Sequence, residues 1–205
     1  MMSYLIGIIA GVLAFGSYGF YVRSIIRGET KPQRVSWWVW ASLGSVIWAS
    51  YYLSGARNTL WAPLSEVLGP IAVAILAIKY GEGGWTLFDR KCLIGIGAAL
   101  ILWLVFNSPL VGLVSALAID FFAALPTVRK SSLRPRRENF TAWLLVVMAN
   151  FLNIFAIEKW TFALAIQPIY YTAITGIIFL PLLFFRLKSL KITTRSYRRL
   201  FDRVF

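Results

Sequence analysis

Two carboxylates fall deep inside apolar stretches of this chain, Glu66 and Asp120. A charged side chain at the middle of a bilayer costs about 2.5–3.5 kcal/mol even on the lenient insertion scale, so such groups usually face a protein interior. Three amides fall in similar surroundings: Asn150, Asn153 and Gln167. Asn150 and Asn153 are three residues apart and share a helix face. At a rise of about 1.5 Å per residue, Glu66 should lie about 10 Å into its stretch and Asp120 about 18 Å into its own. Asn153 and Gln167 then fall near the level of Glu66, and Asn150 near Asp120. Converging from four helices, these side chains line a polar cavity for a small solute, or they serve only as hydrogen bonds between helices.

The elements that must position them follow from composition. Of 205 residues, 59% are hydrophobic and only 14% are charged, more apolar surface than a soluble domain can hide. Seven membrane-length stretches can be read: Ser3–Ile26, Ser36–Gly55, Thr59–Tyr80, Cys92–Phe106, Ser108–Val128, Phe140–Ile157 and Thr161–Phe185. They are too long for barrel strands and lack alternating polarity, so helices are expected. Trp37, Tyr52, Trp61, Tyr80, Trp85 and Trp160 sit near their ends, as interfacial anchors do.

A spacing pattern occurs twice. Arg27, Lys31, Pro32, Arg34 and Trp40 recur 103 positions later as Lys130, Arg134, Pro135, Arg137 and Trp143. This predicts an all-α membrane protein of seven transmembrane helices, arranged as two parallel three-helix repeats joined by one inverting helix. The corresponding divisions are 1–85 for the first repeat, 86–107 for the linker helix, 108–185 for the second repeat and 186–205 for a basic tail. In that tail Tyr197, Leu200, Phe201, Val204 and Phe205 share one helical face. The tail is expected to be an amphipathic helix on an anionic inner leaflet or a docking helix for a partner.

The net charge of +13 invites a nucleic-acid reading, but its distribution opposes one. Numbering the connections alternately, one side holds only Arg57 and Lys159, and every other basic residue lies on the opposite side. The positive-inside rule then puts the N-terminus outside and the C-terminus in the cytoplasm of a bacterial-type plasma membrane, with the first stretch retained as a helix. Without histidine and with one cysteine, Cys92, the chain has no imidazole chemistry, no internal disulfide and no multi-cysteine metal site. No nucleophile–base pair or phosphate-binding glycine loop is present, so no enzyme activity, cofactor or metal is expected. Prolines within the stretches, Pro63, Pro70, Pro126, Pro168 and Pro181, free carbonyls and permit kinks. Pro126 lies where it could serve a gate.

The three–one–three plan with parallel repeats resembles the SWEET and PQ-loop transporter superfamily over about residues 10–185. Tyr21–Lys31 (YVRSIIRGETK) is similar to the family's basic segment leaving the first helix, and Trp48–Tyr51 to its W-x-x-Y stretch. The resemblance places Glu66 where the family carries a substrate-facing asparagine, with Tyr171 as its counterpart in the second unit. The family's tryptophan pair maps to Trp48 and Phe151. Its Pro-Gln dipeptide maps to Pro126-Thr127 and to Arg23-Ser24, so the literal Pro32-Gln33 in a connection is not that motif. The resemblance implies a small-solute transporter for a sugar, an amino acid or a similar polar metabolite, working by alternating access. Glutamate at 66 shifts the expectation toward a cationic solute or proton coupling. Trp48 and Phe151 would pack against the solute, Glu66, Asn150, Asn153 and Gln167 would hydrogen-bond it, and Asp120 would titrate or pair with a cation. The other reading is a non-transporting accessory subunit, receptor or scaffold. A second copy or a membrane partner protein is compatible with both.

Overall fold

The computed structural model describes residues 2–83 and 108–204, with isolated helical positions between 87 and 106; side chains are described to Ser189. Six α-helices are complete within this range. They are α1 (Met2–Ile26), α2 (Arg34–Leu53), α3 (Trp61–Tyr80), α4 (Pro109–Leu133), α5 (Phe140–Ile154) and α6 (Phe162–Val204). Among the described residues there is no strand, only an isolated bridge between Gln33 and Glu82. The expected fourth stretch, Cys92–Phe106, and most of the linker 86–107 lie outside the described residues.

Local chemistry sets the helix ends. Gly28, at φ +73°, closes α1: its N–H reaches the Ile25 carbonyl, and the next N–H, of Glu29, reaches that of Ser24. This is a Schellman ending, which needs the left-handed conformation that glycine adopts without strain. Pro109 opens α4, where a missing N–H costs nothing. Asn139 caps α5 by accepting from Ala142 N–H at 2.8 Å. Arg34 caps the end of α3 from a different helix, donating to the Ala77, Ile78, Gly81 and Gly83 carbonyls.

Four helical segments are long and apolar enough to cross a membrane: Met2–Ile26, Asn58–Tyr80, Pro109–Leu133 and Phe162–Ser189. Arg34–Leu53 has the length, but its Trp, Tyr and Ser content makes it less apolar. Phe140–Ile154 is apolar and short at 15 residues, ending three residues before the expected Ile157. Large apolar side chains cover the outside, among them Val12, Ile75, Phe122 and Phe184. This surface suits lipid and would be costly in water. The protein is a helical membrane protein.

The packing follows one plan twice. α1 and α2 each pack on α3, and α4 and α5 each pack on α6; between the two sets, α1 meets α5 and α2 meets α4. At one end the α1–α2 and α4–α5 connections touch, with Lys31 N–H donating to the Arg137 carbonyl at 3.3 Å. At the other end Glu158 Oε1 accepts from the backbone N–H groups of Arg57, at 2.8 Å, and Asn58. The basic tail does not begin a new helix: α6 runs unbroken to Val204.

Candidate functional site

A cavity opens where the two sets of helices face each other, with about 600 Å3 of free space counted with its open part. Glu66 enters it from α3 and Asp120 from α4. Local backbone chemistry sets Glu66 in place. Pro70, one turn on, has no N–H to give the Glu66 carbonyl. Gly44 on α2 lies directly against that carbonyl: a Cβ there would come within 2.4 Å of the Glu66 oxygen. The absence of a side chain at 44 therefore lets α2 press against the freed carbonyl and fixes the height of Glu66.

Each carboxylate accepts from a tyrosine hydroxyl. Tyr18 Oη donates to Glu66 Oε2 at 2.5 Å, and Tyr170 Oη donates to Asp120 Oδ2 at 2.6 Å. Glu66 is half-buried and Asp120 is 3% exposed. Among the described residues no ion pair involves either carboxylate, and no Lys or Arg lines the cavity. Two ionised carboxylates in such a site are costly unless a proton or another cation neutralises them.

Aromatic side chains form the wall beside them. Tyr21 lies tilted against Trp37 at 4.8 Å, and Trp37 meets Trp40 edge-on at 5.0 Å. Trp40 and Tyr21 both lie edge-on to Trp143, at 6.4 and 6.3 Å. Trp37 Nε1 is buried without a partner that meets hydrogen-bond geometry among the described residues. Such a wall favours flat or cationic groups, since the ring face is negative.

The cavity brings together three of the residues singled out from the sequence: Glu66, Asp120 and Tyr171. The others lie elsewhere. Asn153 is fully buried in the last turns of α5, donating from Nδ2 to the Thr59 carbonyl at 3.0 Å. Asn150 and Gln167 are also buried outside the cavity lining; among the described residues Asn150 Nδ2, Asn153 Oδ1 and Gln167 Oε1 lack partners. Trp48 stacks on Tyr52 at 5.6 Å. Phe151 is 52% exposed and meets Phe155 edge-on, on the outer surface of α5. Pro126 is half-buried within α4 and does not line the cavity. Asn153 misses the cavity because it sits in the last turn of α5, which ends at Ile154, against the turn before α3.

Tyr18, Tyr21, Trp37, Trp40 and Trp143 were not read as site residues from the sequence. Trp37 looks like an interfacial anchor, and Trp40 and Trp143 like marks of the repeat. A usable signal was their spacing: Tyr18 and Tyr21, like Trp37 and Trp40, are three apart and share a helix face.

At the end bearing the repeated motif, Lys130, Arg134 and Arg137 pair with Glu82 and Glu138. Lys130 Nζ lies 2.6 Å from Glu138 Oε1 and 3.8 Å from Glu82, and it also donates to the Lys31 carbonyl. Glu82 further pairs with Arg137 at 2.9 Å and Arg134 at 3.6 Å.

No protein-family model matches the chain, and neither the curated proteins nor the solved structures supply a match.

Proposed function

We propose that the chain is a small-solute membrane transporter that works by alternating access between two three-helix units. The observation that carries this reading is the cavity between the two sets of helices, faced by a carboxylate from each and, among the described residues, by no basic side chain. A solute bearing positive charge, or a proton moving with a polar solute, would neutralise Glu66 and Asp120, while the tryptophan wall would hold its flat or apolar part. The basic end would face the cytoplasm, in keeping with the charge asymmetry of the connections. The prolines within helices and the twofold packing plan suit a bundle in which one unit rocks against the other. The unpaired amide atoms of Asn150, Asn153 and Gln167 offer hydrogen-bonding capacity to water at the other end.

The test is uptake by proteoliposomes of a panel of ammonium-bearing, neutral and anionic solutes at two pH values. Cation flux, or flux driven by a proton gradient, is expected. Glu66→Gln combined with Asp120→Asn should lower it by about tenfold or more, a loss of ~1.4 kcal/mol or more. No flux of any solute, or full flux in the double variant, would overturn the proposal.

A further inference from the structure

Glu138 is a carboxylate with a separate task for each oxygen. Oε1 takes the Lys130 ammonium at 2.6 Å. Oε2 accepts from Tyr21 Oη and from Trp143 Nε1, each at 2.9 Å. Tyr21 and Trp143 are both cavity-wall residues, one on α1 and the other on α5. The Glu138 side chain is fully buried, and that of Lys130 is 5% exposed. One carboxylate therefore touches the back of the cavity wall with one oxygen and the charge cluster at the basic end with the other.

That cluster bridges the two sets of helices. Lys130, Arg134 and Arg137 come from the second set. Glu82 and the Lys31 carbonyl come from the first, and all three cations reach them. Tyr21 to Glu138 crosses in the opposite sense. Separating the two sets at this end would break every one of these bonds, whereas Lys130–Glu138 and Trp143–Glu138 lie within the second set and would travel with it. Glu138 thus holds Lys130 in the position from which it reaches across. The duplicated motif does not supply this: the position matching Glu138 in the first copy is Val35, and Lys130 is matched by the exposed Arg27. Removing one partner from a buried, hydrogen-bonded charge pair is far costlier than removing an exposed one, so the closure depends on Glu138 and Lys130 more than on the outer arginines.

We infer that Glu138 and Lys130, with Glu82, form a gate closing the basic end of the cavity, and that Glu138 is the positioning residue linking the gate to cavity occupancy. A solute that draws Tyr21 toward it takes away the bond between Tyr21 and Glu138, one of those that cross between the sets. The occupancy link rests on the transporter reading; the closure itself does not.

The experiment measures access to the cavity. Full-length protein with Cys92→Ser and a reporter at Ser17→Cys, a cavity-lining position, is placed in vesicles of known orientation. Alkylation by a membrane-impermeant maleimide is then timed from each side. Glu138→Gln and Lys130→Gln should speed labelling from the basic end by about tenfold or more, with little change from the other side. Lys130→Arg should stay near the parent rate, and Glu82→Gln and Tyr21→Phe should each give a smaller one-sided increase. Where Glu138→Gln does not fold, Glu82→Gln and Tyr21→Phe carry the test, because both leave the buried pair intact. Unchanged rates, or equal increases from both sides, would overturn the gate. One-sided opening without flux of any solute would keep the gate and reject the transport reading. Flux without one-sided opening would do the reverse.

Discussion

At the scale of the residue, the chemistry reduces to two carboxylates, two tyrosine hydroxyls and a tryptophan wall. Tyr18 and Tyr170 each give one hydrogen bond to a carboxylate that has no cationic partner among the described residues. Each bond fixes an oxygen lone pair and so decides where a cation can sit. Tyr18→Phe and Tyr170→Phe remove one net hydrogen bond each, about 0.5–1.5 kcal/mol. Each should raise the half-saturating solute concentration roughly threefold to tenfold, read from concentration-dependent uptake, with the bundle still folded. Unchanged half-saturation in both variants would show that neither carboxylate is positioned for the solute. Glu66 and Asp120 were legible in the sequence because an ionisable group in an apolar stretch is costly against lipid and so turns to the protein interior. Their tyrosine partners were not, because a tyrosine in such a stretch can face lipid, protein or a cavity at similar cost.

At the scale of the element, prolines and their freed carbonyls explain much of the packing. Pro63 has no N–H for the Thr59 carbonyl, and Asn153 from α5 donates to it instead. Pro168 has none for the Leu164 carbonyl, and Tyr51 Oη from α2 donates there at 2.9 Å. In each half, the second helix thus satisfies a carbonyl freed near the start of the third helix of the other half, a pairing that suits a medium without water. Tyr51→Phe should lower stability by about 1 kcal/mol, seen as a lower unfolding midpoint in detergent. An unchanged midpoint would reassign the Leu164 carbonyl to water. Gly44→Ala gives a sharper test. Alanine is the better helix former by about 1 kcal/mol, yet a Cβ at 44 would collide with the Glu66 carbonyl. Overpacking of this kind costs about 1–3 kcal/mol. The variant should lose stability and displace Glu66, reducing uptake as well; a more stable, fully active variant would refute the close approach. Arg34→Ala should also destabilise, by roughly 1–2 kcal/mol for the loss of charge-assisted bonds to carbonyls closing α3, again read as the unfolding midpoint. The prolines were legible in the sequence; which helix would satisfy each carbonyl was not, since that depends on neighbours far along the chain.

At the scale of the whole molecule, the two sets of helices share one packing plan but not one chemistry. α6 is the exception in length: at about 1.5 Å per residue its 43 residues make a rod of roughly 64 Å, well beyond a ~30 Å hydrocarbon core. The part beyond Ser189 therefore separates the two functional readings. If the bundle is the working part, truncation after Ser189 should leave uptake within about twofold, a difference under 0.5 kcal/mol. Loss of a co-purifying partner with an intact bundle would instead favour a scaffold working through this helix.

The sequence by itself determined the helical class, the approximate limits of α1, α3 and α4, the asymmetry of charge and the burial of Glu66 and Asp120. These follow from composition, helix punctuation and the cost of charge in an apolar setting, all of which are local. Only the tertiary structure decided which side chains meet. In a helix apolar on every side, the pattern does not show which face turns inward. Phe151 and Trp143 on α5 illustrate this: both are aromatic, yet one faces outward and the other lines the cavity. The repeated basic motif marked two equivalent connections. That they touch, and that Glu138 joins their charges to the cavity wall, depends on the rotation of six helices against one another, which no spacing along the chain records.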